Sequence, residues 1–418
     1  MTITLNRAKV KRNILVIALI IAAVTIPLHN NLNSWALIFL FFAGLIQNPF
    51  SHMKNKLLQS KFWLLPVCYF LWLACSYIWD VSGGFTIKEL EGYATFFFIP
   101  IILAAVPRIS PKDIRNTCMA FIIVTTIVSI ICLVKSYMEY QVTGDYRVFY
   151  YHYLSQQVGL NAIFLSNYCL ASITWILYYS FIQKNTIPKA VKLLIIIIGC
   201  FQFFMIFLLS SKMSIFLLGL FLLVLILYIG IAKKYLLRSL LIVSIIGFAC
   251  FFAVRNLSYV QWRFNVTELK KYSGKEDDNN GLAVRLVMWE SAIELIKEKP
   301  LLGYGIKGVR QEMVQKYQEK NFQIGIREGY NSHNQYLETT LMTGVIGLLL
   351  FLLILSYAGV VGIREKNVLL LIILLHFMLK SMLEATLEVQ QELVFFLFFI
   401  FLFYYHPPTL DRADKITS

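Results

Sequence analysis

Charge is what this sequence has least of. Only 15% of its 418 residues are charged, against about 25% in a soluble domain, and mean hydropathy is +0.68. Too little polar surface exists to cover a water-soluble fold of this length. The chain also lacks internal repeats of 20–50 residues and low-complexity tracts, which excludes solenoid, fibrous and disordered classes. Its seven cysteines (Cys68, Cys75, Cys118, Cys132, Cys169, Cys200 and Cys250) all fall inside apolar segments. None shows the paired spacing of a zinc or redox site, so they read as small buried apolar side chains. No metal and no cofactor is expected, and no pair of carboxylates suggests a retaining glycosidase.

What is present is a series of long apolar runs. Twelve windows of spanning length, bounded by charge, lie near 13–29, 34–47, 62–79, 92–107, 117–135, 159–182, 193–211, 213–231, 239–254, 335–361, 367–383 and 393–405. An apolar run of about 20 residues is what a helix needs to cross a bilayer. The expected fold is therefore an all-α polytopic membrane protein with about twelve transmembrane helices. The basic start (Arg7, Lys9, Lys11, Arg12) before the first run reads as an uncleaved signal anchor, because so many spans follow it.

The formal charge of +15 invites a nucleic-acid reading. That reading fails because the cations are distributed between spans and form no single basic face. With the N-terminus in the cytoplasm, the short cytoplasmic segments hold Lys54, Lys56 and Lys61; Arg108, Lys112 and Arg115; Lys184, Lys189 and Lys192; Lys233, Lys234 and Arg238; Arg364 and Lys366; and Arg412 and Lys415. The short segments opposite hold only Lys88, Lys135, Arg147, Lys212 and Lys380. The positive-inside rule is met in this register, with both termini cytoplasmic. Residues 1–254 then form an N-terminal bundle of about nine spans and 335–418 the last three spans with a short cytoplasmic tail. Residues 255–334 form one large external loop, whose 13 basic and 10 acidic residues nearly cancel.

Inside that loop, 281–300 reads as a helix with an apolar stripe of Leu282, Leu286, Trp289, Ile293 and Ile296. Pro300 and Gly303-Tyr304-Gly305 end it, and the polar run 275–280 before it reads as a solvated loop. Arg285 lies one turn from Trp289 on this helix; beside a stripe that rests on the bilayer it is placed to meet phosphate. Lys212 is the one charge in the 40 residues 193–232 and should sit at the tip of a tight external hairpin. It either marks the turn as a snorkelling lysine or serves as a point charge for an anionic group. His333, among six histidines, stands where the loop re-enters the membrane, within Tyr330-Asn-Ser-His-Asn-Gln-Tyr336; a histidine there can take a proton from a hydroxyl. The aromatic stretch Tyr146–Tyr153 reads chiefly as an interfacial belt.

Together these residues resemble the O-antigen ligase and polymerase superfamily of bacterial envelope enzymes. His333-Asn334, nine residues, then Gly344-Val-Ile-Gly347 matches that superfamily's His-Asn and Gly-x-x-Gly pattern without a gap. Arg285-Leu-Val-Met-Trp289 followed by Pro300-Leu-Leu-Gly-Tyr-Gly305 resembles its arginine helix and "P-x-x-G-x-G" turn. The family's span-end arginine, within a Ser/Thr-rich context, corresponds here to Lys212 after Ser210 and Ser211, which keeps the charge and loses the bidentate fork.

The resemblance implies a GT-C-like glycosyltransferase of the bacterial inner membrane, with its active site on the periplasmic face. Its donor would be an undecaprenyl-diphosphate-linked glycan and its acceptor a hydroxyl of lipid A-core or another glycan, with inversion and without a metal. By the same resemblance His333 is the general base and Arg285 and Lys212 bind diphosphate. Asn334, Trp289, Tyr304 and Ser211, inside or adjoining these motifs, are the candidates for substrate contact. Membrane lipids are expected neighbours and nucleic acid is not a partner. A repeat-unit polymerase and a protein O-oligosaccharyltransferase share this chemistry. A transporter or flippase would show two similar halves, which the sequence does not, and a non-catalytic envelope scaffold remains the other alternative.

Overall fold

The computed structural model describes residues 2–28, 30–47, 50–83, 87–182, 188–232 and 281–408, and every regular element among them is helical. In hydrocarbon a backbone must satisfy its own N–H and C=O groups, and a helix does so within one segment. Five stretches are long and apolar enough to cross a membrane: Lys61–Ile78, Pro111–Thr143, Ala162–Ser180, Ala190–Leu208 and Gln335–Arg364. Shorter apolar helices cover Leu32–Gln47, Lys212–Leu227, Val368–Lys380 and Gln390–Tyr405. The chain is a polytopic membrane protein, helical throughout its described elements. The expected span at 239–254 and the polar run 275–280 lie outside the described residues.

Two compact units divide the chain. The second holds the described residues from Thr125 to 232 and 281–284. Its frame is the latter part of α7 (Pro111–Thr143), α8 (Tyr151–Gln156), α9 (Ala162–Leu177), α10 (Lys189–Leu208) and α11 (Lys212–Ala232). Helix α9 is buried along nearly its whole length and is the core of this unit. The 33 residues of α7 extend roughly 50 Å, more than the ~30 Å of a hydrocarbon core.

The first unit holds the described residues up to Val124 and from Arg285 onward. Before α7 it contains α1 (Thr2–Thr25), α2 (Asn30–Gln47), α3 (Phe50–Gln59), α4 (Leu64–Cys75), α5 (Ile87–Tyr93) and α6 (Thr95–Ala105). It resumes in α12 (Gly281–Glu298) and continues through α13 (Gly308–Glu319), α14 (Gln323–Glu328), α15 (Gln335–Arg364), α16 (Val368–Lys380) and α17 (Gln390–Tyr405). Helix α17 is apolar on every side, and a helix of that kind is one that neighbours surround. Leu393 to Phe403 are accordingly buried without a break. Phe395 and Phe399 meet Phe121 of α7, and Phe396 meets Phe377 of α16.

Helix α15 is the long axis of this unit, and it is interrupted. Gly344 has φ +66° and ψ −173° inside it. At this break the carbonyls of Leu341 and Met342 accept from the N–H groups of Tyr304 (2.8 Å) and Gly305 (3.0 Å), while Val345 N–H donates to the Pro300 carbonyl (2.9 Å). The turn Pro300–Gly305 thus docks on the kink through main-chain bonds. A Cβ on Gly344 would lie 1.9 Å from the Leu301 carbonyl oxygen, and one on Gly303 2.3 Å from that of Leu341. The two glycine motifs of the sequence are two sides of one backbone contact.

Several expectations need correction. On α12 the buried residues are Ala283, Val284, Met288, Ser291, Ala292 and Leu295, whereas Leu286 and Ile293 of the expected stripe are exposed. The helix carries apolar residues on two faces, and the face that packs inward is the one where small Ala283, Ser291 and Ala292 stand beside Met288 and Leu295. Leu282 is outside the described side chains. Cys118, Cys132 and Cys169 are buried as expected, but Cys68, Cys75 and Cys200 are on the surface. Lys380 is not a charge at the membrane rim: it is 1% exposed and ion-paired with Glu392, 0% exposed, between α16 and α17.

Gly344→Ala is expected to lower the thermal unfolding midpoint by an amount corresponding to at least ~1–3 kcal/mol, since the left-handed φ is strained before the clash is counted. Gly359→Ala on the same helix, where nothing lies within 4 Å, should leave the midpoint unchanged or higher. Lys380→Met alone strands a buried carboxylate and should cost about 3–5 kcal/mol; Lys380→Met combined with Glu392→Leu should recover most of it. Melts of the purified protein in one detergent decide both.

Candidate functional site

His333 stands at the junction between the loop helices and α15. Asn334 is the N-cap of α15: its Oδ1 accepts from the N–H groups of Tyr336 (3.0 Å) and Leu337 (3.1 Å), and its Nδ2 donates to the Met382 carbonyl (3.0 Å). Asparagine is a preferred cap because its side chain replaces the missing helix acceptors. Both ends of the Asn334 amide are therefore engaged in holding the helix start. His333 precedes it in left-handed conformation, φ +45°, and its N–H donates to Asn331 Oδ1 at 2.9 Å. This turn presents the imidazole, which is about a third exposed, with the Tyr330 ring edge-on at 5.7 Å.

The imidazole has a partner that sequence reading did not name. His333 Nδ1 lies 3.0 Å from Glu384 Oε2, and Arg285 Nη2 donates to the other oxygen, Oε1, at 2.9 Å. Glu384 thus bridges the two candidates, and they come together through it. A carboxylate accepts only, so Nδ1 carries the proton and Nε2 is left with a lone pair. Burial works to raise the Glu384 carboxyl, but the His333 hydrogen bond and the charges of His333, Arg285 and Lys380 outweigh it and hold the group below the ordinary carboxylate range.

The segment carrying Glu384 is clamped. Gln335 N–H donates to the Ser381 carbonyl (2.8 Å), and Gln335 Oε1 accepts from Leu387 N–H (2.7 Å). Glu388, one turn beyond Glu384, pairs with Arg310 at 3.3 Å and accepts from Asn331. Glu338 accepts from both the N–H and the hydroxyl of Ser332 (2.9 and 2.6 Å). The turn from Tyr330 to Asn334 is therefore fixed from three sides by carboxylates. The signal in the sequence was the spacing Lys380, Glu384, Glu388, Glu392: one cation and three acids at intervals of four, in a chain poor in acids.

Two further α12 donors are at hand. Arg285 Nε and Trp289 Nε1 are buried and have no protein acceptor among the described residues. Glu290 and Glu294, on the adjoining face, are both taken up by Lys320 (3.4 and 2.8 Å). Tyr304 is a structural bolt: it is 2% exposed and its hydroxyl donates to the Leu295 carbonyl and to Glu298, tying the Pro300–Gly305 turn to α12. Lys299 stands over its ring.

Lys212 and Ser211 belong to the other unit. The hairpin expected there is present: α10 ends at Leu208, Ser210 takes φ +49°, and Lys212 opens α11. Ser211 is buried, and its hydroxyl meets Ser214 (3.1 Å), whose own hydroxyl donates to Asn167 Oδ1 on α9 (3.2 Å). The serines fix the tip and Lys212 stands on it, half-buried. The aromatic stretch nearby forms a 3-10 turn and α8, with Arg147 held by Asp145 at 2.7 Å.

The native carboxyl of Glu384 is depressed, so the bridge contributes stability that is complete above the ordinary glutamate value of 4.5 and is lost as pH falls through the lower native value. Melts of the wild type and Glu384→Gln should therefore differ at neutral pH and converge as pH falls below the ordinary glutamate value and through the lower native one. A constant gap across that range would show that the carboxylate charge is not what holds the bridge.

A family model described as O-antigen ligase matches residues 169–352, a stretch that contains Ser211, Lys212, Arg285, Trp289, Tyr304, His333 and Asn334 but not Glu384. The chain is 28% identical over 133 residues to an uncharacterized protein of Haemophilus influenzae, covering 31% of this chain and 33% of that one. It is 34% identical over 90 residues to the exopolysaccharide production protein ExoQ of Rhizobium meliloti, covering 20% and 19%. These matches span about a third and a fifth of the two relatives. Residues 169–352 are thus similar to the O-antigen ligase family, and the relative named for exopolysaccharide production agrees with that likeness.

Proposed function

We propose that the chain transfers a glycan from an undecaprenyl-diphosphate carrier to an acceptor hydroxyl, as a surface-polysaccharide ligase acting on lipid A-core. The reaction takes place on the periplasmic face of the bacterial inner membrane and uses no metal. The observation that carries this reading is the Arg285–Glu384–His333 bridge. With Nδ1–H directed at Glu384, Nε2 of His333 accepts the acceptor's hydroxyl proton. The oxygen attacks the anomeric carbon, the bond to the diphosphate oxygen breaks, and a single displacement inverts the centre. Glu384 stabilises the imidazolium that forms, and is a positioning residue rather than a reacting one.

The leaving diphosphate needs positive charge and hydrogen-bond donors. Arg285 supplies a guanidinium of which Glu384 takes only one edge, and the buried Nε of Arg285 and Nε1 of Trp289 are donors without a protein acceptor among the described residues. Lys212 is the second cation of the proposal, with Ser211 shaping its turn. Asn334 and Tyr304 act by holding His333 and the 300–305 turn in place.

Topology supports the same sidedness. In the first unit Arg12 pairs with Asp113, Lys56 donates to the Val106 carbonyl, and His406 meets Ile109, all among the segments richest in basic residues. Helix α15 runs from Asn334 at the site to Glu365 at that basic end. We take the basic end as cytoplasmic and the His333 end as periplasmic, with a GT-C-like arrangement of about twelve spans and 255–334 as the large periplasmic loop. A second reading, polymerisation of carrier-linked repeat units, is favoured by the relative named for exopolysaccharide production.

Purified protein given a lipid-diphosphate glycan donor and an acceptor tests the mechanism. His333→Ala should reduce transfer by roughly 10²–10⁴-fold while the fold is retained, and Lys212→Arg should keep most activity where Lys212→Ala does not. Full transfer by His333→Ala removes it as the base. In cells, deletion of a ligase leaves long chains on the carrier, and deletion of a polymerase leaves acceptors bearing single repeat units.

A further inference from the structure

The basic end of the first unit holds a cavity of about 360 Å³ that the transfer chemistry does not use. Four helices end in its wall: Gln59 closes α3, Val106 is the C-cap of α6, Glu365 that of α15 and His406 that of α17. The lining adds Lys56, Arg108, Ser60 and the phenols of Tyr404 and Tyr405. Its size falls within the ~300–1,000 Å³ of small-ligand sites.

The charges are mixed in a defined way. Lys56 and Arg108 supply two cations and Glu365 one carboxylate. Lys56 spends one of its three donors on the Val106 carbonyl at 3.0 Å, and its partial burial lowers its hold on the proton. Arg108 is exposed and makes no salt bridge with a carboxylate among the described residues. His406 offers nothing to a ligand: Nδ1 accepts from Ile109 N–H (3.3 Å) and Nε2 donates to the Leu103 carbonyl (3.0 Å), so the ring is neutral and fixed. Each helix C-terminus adds a partial negative charge of up to about half a unit. A purely anionic ligand would gain from the two side-chain cations but face the helix ends and Glu365. A ligand carrying a phosphate and an ammonium satisfies both halves.

We propose that this cavity binds the headgroup of a zwitterionic aminophospholipid. Its phosphate meets Arg108 and Lys56, the arginine as a bidentate fork and the lysine as a point charge. Its primary ammonium meets Glu365 and the carbonyls at the helix ends. Basic pockets between helices at a cytoplasmic membrane face are known places for lipid headgroups, and apolar Val106, Val361 and Pro407 beside the polar groups suit a molecule that enters from the bilayer edge. The side assigned to the cavity rests on the topology proposed above; the binding itself does not depend on the transfer reaction.

Delipidated full-length protein in detergent, titrated with phosphatidylethanolamine, phosphatidylglycerol and phosphatidylcholine and read by native mass spectrometry, tests it. The wild type should bind phosphatidylethanolamine about tenfold more tightly than either of the others, the loss expected for one missing charged hydrogen bond. Arg108→Gln should weaken all three lipids, and Glu365→Gln should abolish the preference for the primary amine. Lys54→Gln, which removes an exposed charge of α3 outside the cavity, and His333→Ala should both bind as the wild type does. Equal affinity for the three lipids overturns the proposal, as does a preference that survives Glu365→Gln. Phosphatidylglycerol binding as tightly as phosphatidylethanolamine also overturns it, in favour of a simple anion site. The wild-type ranking needs no variant, so a misfolded substitution leaves the test intact.

Discussion

The contact on which the site depends is a short stretch of backbone pairing in the first unit. The Pro300–Gly305 turn exchanges three main-chain hydrogen bonds with the break in α15 around Gly344. The break exposes carbonyls and an N–H that a continuous helix would have consumed internally, and the turn supplies their partners. Because α12 ends at this turn and α15 begins nine residues before Gly344, the pairing fixes Arg285 and His333 relative to each other. Glycine is required at 303 and 344 by the same fact: two backbones approach too closely for a Cβ on either.

Glu384 then converts that frame into chemistry. A carboxylate shared between a guanidinium and an imidazole orients both and selects the tautomer that leaves Nε2 free to accept a proton. The surrounding carboxylates, Glu338 and Glu388, are used on Ser332, Asn331 and Arg310, and so hold the turn that carries His333. Below them Lys380 and Glu392 form a pair buried in the helical bundle. A charge pair at such depth is costly and is more often retained for placement than for stability. Here it anchors the two ends of the segment that bears Glu384.

The unit is polar at both ends of its helices and apolar between them, and the two ends differ in kind. At the His333 end, charges are paired across short distances into a bridge. At the other end helix C-termini, two cations and one carboxylate line a cavity that suits a mixed-charge headgroup. In the reading proposed above, one end of the unit meets a glycan carrier and the other a lipid headgroup.

Much of this was legible in the sequence. Low charge and long apolar runs determine a helical membrane protein, since no other structure satisfies the backbone in hydrocarbon without closing a sheet. The His-Asn and glycine patterns determine where the site begins, and the lone cation after two serines determines a hairpin tip at Lys212. Other features were decided by tertiary structure alone. Apolar periodicity does not say which of two apolar faces of α12 is buried, because in such a chain both lipid and protein accept an apolar side chain; packing chose Met288 and Leu295 over Leu286 and Ile293. Nor does composition separate a rim lysine from a buried one, and Lys380 is buried because Glu392 comes to meet it from the next helix. The partner of His333 lies 51 residues away along the chain, outside every motif, and only the folding of α16 and α17 against α15 brings that carboxylate to the imidazole.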